Sequence, residues 1–204
     1  SERASGRPRI TPCGACVMKE RCPWCGTDPL YVTYHDKEWG VPCHDEQILF
    51  EFLMLEAAQA GLSWITVLRK RENYRRAFAG FDAAKIARFK DKDVTRLMGD
   101  AGIIRNRLKI DAAINNAKVT CDLHDQGKTL DELMWQFVDG VPQVNRWREL
   151  TEIPAYTPPA EALSKELKRL GFRFVGPTVI YAHMQATGMV NDHLVSCPRH
   201  AELS

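Results

Sequence analysis

The chain has 204 residues, 45% of them hydrophobic, with 28 Lys and Arg against 26 Asp and Glu for a formal net charge of +2. That length suits one domain with a sizeable core, and the near-neutral balance means that any nucleic-acid role must rest on local basic clusters. No apolar run reaches the ~20 residues of a membrane helix and no secretory pattern opens the chain, so a soluble, cytoplasmic protein is expected, its seven cysteines suggesting metal ligands or reduced thiols rather than disulfides.

Residues 1–20 are rich in small residues, Pro and basic residues without apolar periodicity, and read as a flexible N-terminal extension. From residue 21 to 204 a single helical domain is expected. The stretch CPWCGTDPLYVTYHDKEWG gathers Trp24, Tyr31, Tyr34 and Trp39 among turn signals. Four aromatics outside a regular period are core, or they wall a pocket for a flat ligand.

Asp45 caps the next predicted helix, DEQILFEFLMLEAAQAG, with Ile48, Leu49, Phe52 and Leu53 on its buried stripe and Gly61 as its stop. Glu56 lies on the apolar side of that helix. A carboxylate there is unfavourable unless it is paired or used, the plain alternative being a half-exposed Glu at the stripe's edge. After the corner Gln59-Ala60-Gly61-Leu62, a second amphipathic helix runs from Trp64 through RKRENYRRAF.

Further helices are expected from Asp82, over DKDVTRLMGDAGI to Gly102, over IIRNRLKIDAAINNAKVTCDLHDQ with Ile104, Leu108, Ala112 and Asn115 in phase, and over TLDELMWQFV from a Thr cap. Val141 to Pro159 reads as an irregular connection. Sustained two-residue alternation is absent, so the class is all-α.

Near the C-terminus, Gly171-Phe172-Arg173-Phe174-Val175-Gly176 joins the helical run EALSKELKRL to a helix opened by Pro177. A tight hairpin of this kind is expected to leave backbone N–H groups facing outward beside the positive end of a helix dipole, a site for phosphate with Arg173 adding charge. An ordinary glycine-capped turn is the alternative. The basic clusters at Arg69 to Arg76, Arg105 to Lys109 and Lys165 to Arg173 are each equally readable as solvated helix faces.

Two metal-ligand sets compete. Cys13-x-x-Cys16 followed by Cys22-x-x-Cys25 suggests a four-thiolate zinc site and is favoured on spacing alone, although five intervening residues are few for a zinc ribbon. The rival pairs Cys22 and His35 with His193 and Cys197, the last two read as i and i+4 on one helical face.

The blocks CPWCGTDPLYVTYHDKEWGVP, LEAAQAGLSWITVLRKRENYRRAF, DAGIIRNRLKI and GFRFVGPTVIYAHMQATGMVNDHLVSC, in that order, resemble the bacterial 3-methyladenine DNA glycosylase I family over about residues 21 to 197. The resemblance implies a helix-hairpin-helix fold and base-excision repair of double-stranded DNA containing alkylated adenine, by a monomer. It implies structural Zn(2+) on Cys22, His35, His193 and Cys197, against the spacing preference, tying the two ends of the domain together. Cys13, Cys16 and Cys25 depart from the family's needs.

It further implies that Glu56 is the catalytic carboxylate, with Trp24, Tyr31, Tyr34, Trp39 and Trp64 holding the base. Gln59, Gly61 and Leu62 would form a wedge into the duplex, and Gly171, Arg173, Gly176 and Thr178 would grip the backbone. Pro177 and Thr178 stand where strand-cutting relatives in this superfamily carry a Lys, so base release without strand cleavage is expected. Asp192 reads as a local cap beside His193. Broader excision of alkylated purines and a non-catalytic helix-hairpin-helix DNA-binding module are the competing readings.

Overall fold

A computed structural model describes residues 20–204. The expected flexible extension, with Cys13 and Cys16, lies outside the described residues. Eleven α-helices, four single-turn 3-10 helices and one minimal strand pair are the regular elements of the described residues. The α-helices are α1 (Pro29–Lys37), α2 (Glu46–Gln59), α3 (Trp64–Arg69), α4 (Arg71–Ala77), α5 (Ala83–Ile86), α6 (Asp91–Met98), α7 (Arg107–Asp125), α8 (Leu130–Trp135), α9 (Pro158–Leu170), α10 (Pro177–Ala186) and α11 (Pro198–Glu202).

The core is built around α2. Asp45 caps it by accepting from Ile48 N–H, and every residue from Leu49 to Ala58 is buried. A helix hidden on all sides must be packed all round, and α3, α7, α8 and α10 supply that packing. Ile48, expected on the buried stripe, is exposed because it sits on the first turn, before the surrounding helices close over α2.

Several expectations are corrected by local chemistry. The turn-rich stretch after Cys25 contains a true helix, α1: Asp28 accepts from Leu30 N–H and Tyr31 N–H, and Pro29 fills the first position, where its missing N–H does no harm. The single helix expected from Trp64 divides at Lys70 into α3 and α4. The helix at Asp82 has only four residues, and α6 stops at Met98 rather than Gly102. The long helix α7 begins after Asn106, whose side chain caps Lys109 N–H. Its inward face carries Ile110, Ile114 and Ala117. Leu108, two residues earlier and therefore about 200° round the axis, is exposed.

Pro158 and Pro159 open α9 instead of ending the preceding connection. Within that connection β1 (Gln143–Val144) pairs in parallel with β2 (Val190–Asn191), a two-residue ladder that leaves the fold mostly helical. This ladder ties the segment before α9 to the segment after α10. Gly188 allows that return at φ +75°, where an added Cβ would lie 2.3 Å from Pro42 N.

Candidate active site and metal centre

The buried acid on α2 opens into a cleft of about 220 Å³, walled by Trp24, Tyr31, Tyr34, Trp39 and Trp64 and completed by Gln59, Ile153, Ala182 and Gln185. The aromatic residues come from four places. Trp24 lies in a short turn after Cys22, Tyr31 and Tyr34 stand three residues apart on α1, Trp39 follows α1, and Trp64 starts α3. They pack at tilted to edge-on angles around one another: the Trp24 and Trp39 rings meet edge to face 4.9 Å apart, while Trp24 and Tyr31 at 5.1 Å and Tyr34 and Trp64 at 5.7 Å are tilted. Sequence thus anticipates all five walls. It misses Ile153, Ala182 and Gln185, though the lone amide on the apolar helix PTVIYAHMQA is a legible signal for Gln185.

Glu56 is 4% exposed, and burial pushes its carboxyl up to about 8. No described residue hydrogen-bonds it, so removal from water acts on it unopposed. In the free protein at neutral pH it therefore carries its proton, poised beside faces of electron-rich rings. Such a cleft suits a flat, positively charged guest, because the rings attract a cation and the acid ionises once a partner charge arrives.

The second centre adjoins this wall. Ligand atoms of Cys22, His35, His193 and Cys197 all lie within 4.8 Å of one another, and all four residues are buried. Cys22 Sγ is 3.6 Å from His193 Nδ1, Cys197 Sγ is 3.6 Å from His35 Nε2, and Cys197 Sγ is 3.7 Å from His193 Nδ1. A tetrahedral ion bound at the usual sulfur and nitrogen distances needs S···N edges of about 3.6 Å.

The outward nitrogens are also consistent with metal binding. His35 Nδ1 meets Asp36 Oδ1 at 2.7 Å, Asp36 being held in turn by Arg21, and His193 Nε2 meets the Trp39 carbonyl at 2.9 Å. Each imidazole can donate outward and keep its inward lone pair for a cation. Cys197 is drawn down by hydrogen bonds from Cys22 first and then His193 and His35, while Cys22 is pushed up by sharing its proton with Cys197. The set can hold a divalent cation with four protein ligands.

Two expectations about this centre change. His193 and Cys197 are not on one helix: they lie in a turn between β2 and α11, with Cys197 as the N-cap of α11. The cluster also leaves out Cys25, whose buried Sγ points back to the Cys22 carbonyl at 3.2 Å. The two centres share their walls, since Trp24 packs 5.2 Å from the His35 ring and Trp39 packs 4.7 Å from His193.

The corner after α2 is open. Gly61 takes φ +83° with no atom within 4 Å of an added Cβ, and Leu62 is 40% exposed. Lys109 Nζ fixes its approach, donating at 2.9 Å to both the Ala58 and Ala60 carbonyls at the end of α2. The hairpin between α9 and α10 is less open than the sequence suggests. Phe172 N–H returns to the Leu167 carbonyl at 3.0 Å and Arg173 N–H is taken by Asn116 Oδ1 at 2.8 Å. Asn115 donates to the Gly171 carbonyl at 2.8 Å, which pins the turn to α7. Arg173 and Thr178 remain exposed, and nothing lies within 4 Å of a Cβ built on Gly176.

Known proteins show the same pattern. Residues 24–200 match the methyladenine glycosylase family. The chain is 53% identical over 178 residues to DNA-3-methyladenine glycosylase 1 of Escherichia coli (strain K12), covering 87% of this chain and 95% of that protein. A crystal structure of 3-methyladenine DNA glycosylase I superposes with a TM-score of 0.86 at 51% identity, covering 88% of this chain and 98% of the other. The 3-methyladenine DNA glycosylase I of Staphylococcus aureus, solved to explain its recognition of 3-methyladenine, gives a TM-score of 0.84 at 35% identity, over 87% of this chain and 94% of that one. With a family match over most of its length and relatives at this identity, the chain belongs to the methyladenine glycosylase family.

Proposed function

We propose that this protein hydrolyses the N-glycosidic bond of 3-methyladenine in alkylated double-stranded DNA, releasing the free base and leaving an abasic site in an uncut strand. The observation that carries the reading is Glu56, a buried acid with no hydrogen-bond partner among the described residues, in the lining of an aromatic cleft. A methyl group on N3 gives the nucleobase a positive charge and weakens its bond to deoxyribose. Breaking that bond sends the electron pair to the base, which leaves neutral, while water supplies hydroxide to the sugar carbon and gives up a proton.

The departing base needs little acid assistance, so the protein's task is to extract and hold it. Trp24, Tyr31, Tyr34, Trp39 and Trp64 would enclose the cationic ring, and Glu56 would give its proton to water when that charge arrives and hold the ring in the cleft until the bond breaks. Unmethylated adenine brings no such charge and leaves the acid neutral. Ile153 and the ring walls limit the cleft to a small, flat guest, which favours this reading over excision of a broad range of purines.

The corner of Gln59, Gly61 and Leu62 would enter the duplex where the everted nucleotide stood. Gly171, Arg173, Gly176 and Thr178 would grip phosphates through a helix-hairpin-helix element, with Arg173 supplying charge and Gly176 allowing close approach. Position 177 is Pro and 178 is Thr, so no amine is available there for a Schiff base. Cys22, His35, His193 and Cys197 suit Zn(2+): with all four positions filled by protein, the ion would serve structure, joining the chain ends behind the aromatic wall. Among the described residues no helix is long and apolar enough to cross a membrane, and we assign the protein to the cytoplasm as a monomer.

Incubation with methylated duplex DNA tests this reading. Free 3-methyladenine should appear by chromatography, and strands should break only after alkali treatment. Stable DNA binding without any released base would instead identify a non-catalytic module.

A further inference from the structure

Asp192 is 1% exposed, and its two oxygens meet four donors. Oδ1 accepts from Asn145 Nδ2 at 2.7 Å and from Trp147 Nε1 at 2.9 Å. Oδ2 accepts from the Tyr181 hydroxyl and from Gln185 Nε2 at 2.9 Å. Three of these partners only tie Asp192 into the fold. The fourth, Gln185, is half-buried and lines the cleft, one helical turn beyond Ala182 on the same face of α10.

The contact fixes an otherwise ambiguous group. A primary amide presents either N–H donors or a carbonyl acceptor, depending on a rotation of about 180°. With its nitrogen committed to Asp192 Oδ2, Gln185 keeps Oε1 for the other side, since the reverse orientation would set oxygen against oxygen.

Methylated alike on N3, adenine and guanine differ at position 6, where adenine carries an exocyclic amino donor and guanine a carbonyl acceptor, while guanine's own amino group lies at position 2 on the methylated edge. We propose that Gln185 Oε1 accepts a hydrogen bond from the exocyclic amino group of the everted base, making Gln185 a specificity residue and Asp192 its positioning residue. The assignment rests on the glycosylase reading above and concerns which purine the cleft prefers. A hydrogen-bonding group left facing an unmatched partner in a buried site rejects a ligand more strongly than a merely apolar wall does.

The test is the ratio of 3-methyladenine to 3-methylguanine released from methylated duplex DNA by the full, metal-loaded chain. Gln185→Leu removes the acceptor, so release of 3-methyladenine should fall about tenfold while release of 3-methylguanine is undiminished. Asp192→Asn makes a sharper demand. Trp147 and Asn145 both donate to one oxygen, so the new amide must keep its carbonyl there and turn its nitrogen toward Gln185. Gln185 then rotates and offers N–H to the cleft, and the ratio should shift toward 3-methylguanine in a protein with parental metal content.

A purely structural Asp192 would lower both releases together. Unchanged ratios in both variants, with the parent active, would overturn the proposal while leaving the glycosylase reading intact. Should Asp192→Asn fail to fold, Gln185→Leu decides alone. A folded parent that releases neither base would overturn both readings.

Discussion

Glu56→Gln should make the protein more stable, and increasingly so as pH rises. In the folded chain the Glu56 carboxyl titrates at about 8, against 4.5 for the same group in water. Between those values the folded state keeps a proton that the unfolded state releases, so each step upward in pH favours unfolding. The resulting penalty is on the order of 1 kcal/mol at pH 5 and on the order of 4 kcal/mol at pH 8. Glutamine has nearly the same shape and no titration, while every other ionisable group is common to both proteins. The stability advantage of Glu56→Gln over the parent should therefore grow by roughly 3 kcal/mol from pH 5 to pH 8. Urea unfolding of the two metal-loaded proteins at pH 5, 6, 7 and 8 measures it directly. Parallel curves, differing by less than about 1 kcal/mol across the range, would show that Glu56 is solvated or paired and would refute the argument.

Other consequences follow from single contacts. Gly188→Ala drives a Cβ to within 2.3 Å of Pro42 N at a positive φ, and should lower stability by about 3 kcal/mol or more, seen as a reduced urea midpoint. Gly176→Ala meets open space at an ordinary φ of −60°, so stability should change by under about 0.5 kcal/mol, whereas affinity for duplex DNA should drop because the methyl group obstructs phosphate. The parent should carry one zinc per chain, and Cys22→Ser or His193→Ala should lose it together with thermal stability; retention of zinc in both would return the ligand choice to the cysteine pairs. Leu62→Ala should keep its zinc yet release base from duplex more slowly than from single strands, and equal slowing on both would remove the wedge.

What the sequence made legible follows from what each signal depends on. Glu56 was visible as an acid in the wrong helical phase, since α2 is long and regular enough for a phase to be read. Four of the five aromatics stand out as a cluster in the sequence, and Trp64 joins them only through the family resemblance. The metal set was not: the near-neighbour spacing of the cysteine pairs outweighed Cys22 and His193, which are 171 residues apart and meet because α10 packs on α2 and Cys43 N–H bonds the Thr187 carbonyl, bringing the two ends of the domain together. His193 and Cys197 do lie side by side, but through a turn that ends where Pro198 opens α11, a geometry that helical spacing does not encode. The hairpin glycines predicted the turn and not its occupancy, because the residue that takes the Arg173 amide is Asn116, far away on α7. Asp28 followed by Pro29 was a legible helix start, masked by the turn residues around it.

The most direct test of the central claim is whether the aromatic cleft binds the base itself. Titration of free 3-methyladenine into the isotopically labelled protein should give saturable, one-to-one shifts at the indole N–H signals of Trp24, Trp39 and Trp64, with adenine producing much smaller changes. Saturable shifts confined to other tryptophans, or equal responses to the two bases, would contradict the account.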